Sequence, residues 1–284
     1  MIICKTPAEM RSVCRELRSS ALAKSLGLVP TMGALHAGHL SLVSAALAEC
    51  DNVVASIFVN PTQFAPGEDY ESYPRDFKAD CNKLESAGVH ALFAPSAADM
   101  YPPGNTTFVD PGDIATRLDG ASRPGHFRGV ATIVARLFNI VQPDRAYFGQ
   151  KDAAQAAVLR RIVRDLNVPV HIAACPIIRE PDGLAMSSRN RYLSPAERTR
   201  ALILFRALHA AQHLAQQGEH TAEALRTAIL NILSTDPQLR LDYAAIVDPD
   251  TLFPVADTSH GALIAVAAWI GTTRLIDNLL LPSH

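Results

Sequence analysis

Leu26-Gly27-Leu28-Val29-Pro30-Thr31-Met32-Gly33-Ala34-Leu35-His36-Ala37-Gly38-His39-Leu40 passes from an apolar run, through a glycine-bearing turn, into a segment with helical spacing. The run at 26–30 predicts a strand, residues 38–50 a helix, and 53–59 a second strand. Strand, helix and strand in that order make a βαβ unit, because parallel strands need a crossover. The same alternation continues downstream. Helices are expected at 76–87, 127–141 and 153–166, and strands at 90–94, where Pro95 ends the run, at 146–148 and at 168–173. The fold class is therefore α/β, a Rossmann-like doubly wound parallel sheet. In such sheets ligands bind beyond the carboxyl ends of the strands, so chemistry is expected in the loops after Val29, Val59 and Phe148.

Beyond Ile178 the character changes. A polar stretch, REPDGLAMSSRNRYLSP, leads into an Ala/Leu-rich helix at 195–217, entered through Ser194 and Pro195. A helix at 221–234 follows, then strand-like runs at 241–247, 263–270 and 274–281. The last two are joined by Gly271-Thr272-Thr273, which suggests an antiparallel hairpin. The expected organisation is a first domain at 1–178 and a smaller C-terminal α+β domain at 179–284, acting as a lid. Neither an internal repeat nor a low-complexity tract is visible.

Composition narrows the function classes. Of 284 residues, 48% are hydrophobic and 19% charged, which suits a globular chain with a substantial core. The formal net charge of -2 lacks the basic excess that a nucleic-acid partner requires. Cys4, Cys14, Cys50, Cys81 and Cys175 are odd in number and contain no CxxC pair, which argues against a disulfide framework or a thiolate zinc site. The opening MIICKTPAEMRSVCRELR has no signal-peptide core, and no polar-free run reaches spanning length, so a cytoplasmic protein without a membrane partner is expected.

Four loops carry the chemistry. His36 and His39 stand at a helix start, where unpaired N–H groups and the helix dipole favour a phosphate. His36 as a structural cap, or the pair as half a metal site, are the alternatives. Asn60 and Gln63, in Phe58-Val59-Asn60-Pro61-Thr62-Gln63-Phe64, offer neutral donors and acceptors suited to a hydroxy-acid. Taken singly the string favours an Asn-Pro turn with an exposed Gln, and its place at a strand end shifts that balance. Phe148-Gly149-Gln150-Lys151-Asp152-Ala153-Ala154-Gln155 adds a cation beside a carboxylate, against the alternative of a surface ion pair. Met186-Ser187-Ser188-Arg189-Asn190 joins hydroxyls to a guanidinium that can hold phosphate with two bonds, or is a polar linker between domains.

Together PTMGALHAGH (30–39), FVNPTQF (58–64), RPGHFRGV (123–130), YFGQKDAAQ (147–155), MSSRNRYL (186–193), AAWIG and RLIDN resemble the signatures of the pantoate-beta-alanine ligases, within the HxGH nucleotidyltransferase superfamily. The resemblance covers nearly the whole chain. It implies an ATP site made by Pro30, Thr31, Met32, Gly33, His36 and His39 from the first loop. Gly149, Gln150, Lys151 and Asp152 join it, with the backbone at Ile178 and with Met186, Ser187, Ser188 and Arg189. It further implies pantoate against Gln63 and Gln155, with Asn60 nearby, and beta-alanine entering beside Gln63. A homodimer is implied, with the helix at 127–141 a candidate contact. The family pattern carries Glu where this chain has Gln150 and Asp119.

For such a reaction a carboxylate must meet the α-phosphorus of ATP. Two unit charges about 3.5 Å apart repel by about 5 kcal/mol at an effective dielectric of 20. His39, His36, Lys151 and Arg189 are the groups expected to offset this. Mg2+ is expected to arrive with the nucleotide, with Asp152 a candidate helper and no dedicated metal cage. Two rival readings remain: an HxGH adenylyltransferase acting on a phosphate ester, and a non-catalytic metal- or nucleotide-binding module.

Overall fold

The computed structural model describes residues 1–19 and 25–283, and its first element is already a strand. β1 (Ile2–Cys4) and α1 (Pro7–Ser19) precede the βαβ unit β2 (Leu26–Thr31), α2 (Ala37–Glu49) and β3 (Asn52–Ile57). Next come α3 (Phe77–Ser86), β4 (Ala91–Phe93) and two single turns, α4 (Ala97–Met100) and α5 (Asp119–Ser122). The half closes with α6 (His126–Val141), β5 (Arg145–Gly149), α7 (Ala153–Asp165) and β6 (His171–Cys175). The strand order is β1-β4-β3-β2-β5-β6, with every pairing parallel. From β2 the chain runs outward through β3 to β4, then returns to β5 on the other side. The order reverses between β2 and β5, and a crevice opens there at the carboxyl ends.

Alternate residues on the inner strands bury into opposite layers, the period of two expected of a sheet covered on both faces. Leu26 and Leu28 share a core with Met10, Phe127 and Leu159, from α1, α6 and α7. Val29 and Val53 pack instead with Val43 and Leu84, from α2 and α3. The sheet is thus doubly wound, as the sequence predicts.

The second sheet is antiparallel, β7 (Arg240–Val247), β8 (His260–Ile270) and β9 (Thr273–Ser283), covered by α8 (Pro195–Gln216) and α9 (Ala222–Leu233). Ser194 caps α8 with Glu197 answering in a capping box. Ile264 and Val266 face these helices, while Val247, Leu263 and Ala265 face the core of the parallel-sheet half. Asp119 completes this junction, paired with Arg274 at 2.8 Å and accepting from the Tyr243 hydroxyl at 3.3 Å.

Three expectations shift. The N-terminal strand and helix are absent from a pattern read from residue 25, because β1 has three residues and exposes Ile2 and Ile3. The strand expected at 168–173 begins at His171, since Pro169 has no N–H and the Val168 N–H still donates to Val163 at the end of α7. The helix expected at 127–141 to meet a second subunit is core: within α6 only Arg128 and Asn139 are exposed, so its apolar surface is consumed inside the chain. Among the described residues no helix is long and apolar enough to cross a membrane.

Candidate active site

α2 begins at the crevice with an unusual cap. His36, at the N-cap, accepts the Gly38 N–H on Nδ1 at 3.1 Å, and His39 Nδ1 accepts the His36 N–H at 3.3 Å. Two imidazoles thus do what Ser and Glu do in an ordinary capping box. An Nδ1 that accepts carries no proton, so each neutral ring holds its proton on Nε2. Neither Nε2 has a partner among the described residues. Desolvation first, then Lys151, lowers the pKa of His36 to about 4; desolvation, then His36, lowers that of His39 to about 3. At neutral pH the pair therefore contributes two N–H donors and no charge. Gly38 is required by this cap, since a Cβ there would stand 2.9 Å from His36 Cε1.

From β5 a 3-10 turn, Gln150–Asp152, projects Lys151 and Asp152 towards the same crevice. Lys151 Nζ lies 3.4 Å from Asp152 Oδ1. Burial opposes ionisation of Asp152, but Lys151 and then Arg189 hold its carboxyl below the usual range. The turn is clasped from β9: Asn278 donates to the carbonyls of Gln150 at 3.0 Å and Lys151 at 2.9 Å, and the Gln150 amide donates back at 3.1 Å.

Beyond β3, Asn60 is 1% exposed. It donates to Gly129 O at 3.1 Å and Gln63 Oε1 at 3.2 Å, and accepts from Thr62 and Tyr101. Its polar atoms are all engaged, so it orients Gln63 and is not itself a free donor to a ligand. This close packing needs Gly129, where a Cβ would fall 2.2 Å from Thr62 O. The Gln63 amide nitrogen rests on Met32 Sδ at 2.8 Å, a weak acceptor that a ligand oxygen would displace. Gln63 O accepts from His126 Nδ1 at 2.8 Å and from Arg123 at 3.3 Å. Desolvation, then Arg123, lowers the pKa of His126 to about 4.

Arg189 differs from expectation. Its guanidinium holds Asp69 through Nε at 2.9 Å and Nη2 at 2.8 Å. Arg123 holds Glu68 in the same way at 2.7 and 2.6 Å, and Tyr73 OH meets Ser188 Oγ at 3.3 Å. The segment at 65–73 is thus stitched across the cleft to residues 187–192.

These parts enclose a chamber of 230 Å³ that opens into a cleft of 730 Å³ against the second sheet. The chamber gathers Pro30, Thr31, Met32, His36, His39, Asn60, Gln63, Gly149, Lys151, Asp152, Gln155, Ile178, Met186, Ser187, Ser188 and Arg189. Gly33 and Gln150 do not line it. Gly33 is buried against Ile57 and Asp80, and the Gln150 side chain turns to Asn278. Sequence reasoning gave no role to Arg123, His126, Glu68 or Asp69. The first two lie in RPGHFRGV, where a basic pair at a helix entry was the available signal. No group of three or more His, Cys, Asp or Glu is placed to hold a metal among the described residues.

Comparison with known proteins gives this geometry a family. The pantothenate synthetase of Acidobacterium capsulatum is 57% identical over 286 residues, covering 98% of this chain and 96% of that one. That of Thermotoga neapolitana is 55% identical over 281 residues, covering 99% and 100%. The crystal structure of pantothenate synthetase from Thermus thermophilus superposes with a TM-score of 0.91 at 50% identity, covering 98% of this chain and 99% of that one. The Francisella tularensis pantoate-beta-alanine ligase, complexed with beta-gamma ATP and beta-alanine, gives 0.75 at 35% identity, covering 99% and 97%. Since the pantoate-beta-alanine ligase model also matches residues 2–280, the chain belongs to that family and is an enzyme of the pantothenate synthetase kind.

Proposed function

We propose that this chain joins pantoate to beta-alanine at the expense of ATP, through a pantoyl-adenylate, releasing pyrophosphate and then AMP. The observation that carries the reading is the committed Nδ1 of both histidines, which leaves two Nε2–H donors on neutral rings beside Lys151. In the first step the pantoate carboxylate attacks the α-phosphorus and pyrophosphate departs. His36 and His39 donate to phosphate oxygens, and Lys151 supplies the positive charge that lowers repulsion between the two anions. Arg189 joins them once a phosphate replaces Asp69. Gln63 and Gln155 hold the acid, with Asn60, Arg123 and His126 fixing Gln63.

In the second step the amine attacks the acyl carbon, AMP leaves, and the amide forms with loss of a proton from nitrogen. An amine with a lysine-like pKa costs about 4 to 5 kcal/mol to deprotonate at pH 7. The narrow chamber lowers that cost by excluding water, and it shields the adenylate from hydrolysis. Mg2+ enters with the triphosphate as part of the substrate, and Asp152, the one carboxylate lining the chamber among the described residues, is suited to approach it. In this reading residues 1–178 carry the nucleotide and pantoate sites, residues 179–284 form the cover that brings Arg189 to the nucleotide, and two chains assemble as a homodimer.

Incubation with ATP, pantoate and beta-alanine, omitting each in turn, tests the reading. Pyrophosphate without amine, and AMP only when the amine is added, is the expected pattern. AMP retained within a product even when the amine is supplied would favour an adenylyltransferase.

A further inference from the structure

The turn between β2 and α2 is held only in part by its own sequence, through the Thr31 hydroxyl that accepts the Gly33 N–H at 3.1 Å. Gly33 and Ala34 both take left-handed backbone, at φ 83° and 51°, and for Ala34 that conformation is strained. The N–H groups of Ala34 and Leu35, which follow the bend, point to α3. There Asp80, 1% exposed, accepts Ala34 N–H on Oδ2 at 2.8 Å and Leu35 N–H on Oδ1 at 2.8 Å. One turn further along α3, Lys83 donates to Leu35 O at 2.6 Å. Two side chains on one helix thus bind both polar groups of Leu35, the residue before His36. Asp80 lines neither the chamber nor the cleft, so it touches no substrate placed there.

We propose that Asp80, assisted by Lys83, is a positioning residue for the two imidazoles: it fixes the turn at residues 33–35 and so sets where the Nε2–H groups of His36 and His39 point. The inference rests on the functional reading for its kinetic consequence and on geometry alone for its structural one. A carboxylate suits the task because both oxygens must accept, and charge strengthens each bond. An amide of the same shape cannot serve, since its NH2 group would face a backbone N–H.

The test is Asp80→Asn, read by nitrogen NMR of labelled histidines and by kinetics. In the unaltered protein both rings should show protonated Nε2 and bare Nδ1. In the variant these two signals should lose their fixed tautomer, and kcat should fall about 10- to 100-fold while KM for pantoate stays within about twofold. Unchanged ring signals and kcat, with only a lower Tm, would overturn the proposal. Should Asp80→Asn fail to fold, Lys83→Met decides: a fall in kcat of about threefold or more with disturbed ring signals supports it, and unaltered values of both overturn it. An unaltered protein inert towards these substrates would sink the functional reading instead, leaving the ring spectra to decide this proposal.

Discussion

Arg189 grips Asp69 with two parallel bonds, so a carboxylate stands where the proposed mechanism needs a phosphate oxygen. The pair is partly open to the cleft, with side chains 30% and 24% exposed, and such pairs are weak enough to exchange. Asp69→Asn should therefore tighten binding of a non-hydrolysable ATP analogue, by about 3- to 10-fold in calorimetric Kd. Arg189→Ala should weaken it. Looser binding by Asp69→Asn would show that the pair organises the site and does not compete with nucleotide.

His39→Ala removes the Nε2–H donor that the proposed mechanism directs at the reacting phosphate, and kcat for AMP release should fall by about 100- to 1000-fold. Wild-type turnover in this variant would refute the assignment.

Gly38→Ala tests the imidazole cap. A methyl group 2.9 Å from His36 Cε1 must turn that ring. Both kcat and KM for ATP should worsen, by about tenfold combined, with little change in Tm. Retained kinetics would mean that the ring's orientation is immaterial.

Gln63→Ala should raise KM for pantoate by about tenfold and leave KM for ATP unaltered. Asn60→Ala should add a loss of stability of about 2 kcal/mol, because its buried partners are left unsatisfied. Chemical denaturation of the two variants separates the effects.

The histidines also set an acid limit. His36 and His126 titrate at about 4 in the folded chain and His39 at about 3, against 6.5 for a free imidazole. Below pH 6.5 the unfolded chain binds protons that the folded chain refuses, so stability falls as pH drops from 6.5 towards 4. The slope is at most about 1.4 kcal/mol per pH unit for each ring, and less where solvent reaches it. Tm should decline through this window, and His126→Gln should make the decline shallower. A flat Tm between pH 6.5 and 4.5 would contradict these low values.

The βαβ alternation and the sheet's winding were legible because buried parallel strands read as apolar runs between helical periods. The loops that meet at the crevice followed from strand ends. What stayed hidden is long-range: Asp80 reaches the first loop from 46 residues downstream, and Asn278 clasps the third from 128 residues away. Neither leaves a local pattern. Asn60 was legible in place but not in role, because saturation by Tyr101 and Gly129 depends on packing between distant segments. The histidines are the helix cap that the string allowed, and because an imidazole has two nitrogens the cap leaves each Nε2 available for the proposed phosphate role.

Gly129 has one more implication. Backbone meets backbone where Gly129 of α6 touches Thr62 and Gln63, so that contact offers no side chain to trim if the chamber is to hold a larger acid than the proposed one. Accepting a bulkier acid would have to come from the aliphatic wall, at Val130, Ile133 or Val134. Redesign of substrate range should begin on that wall.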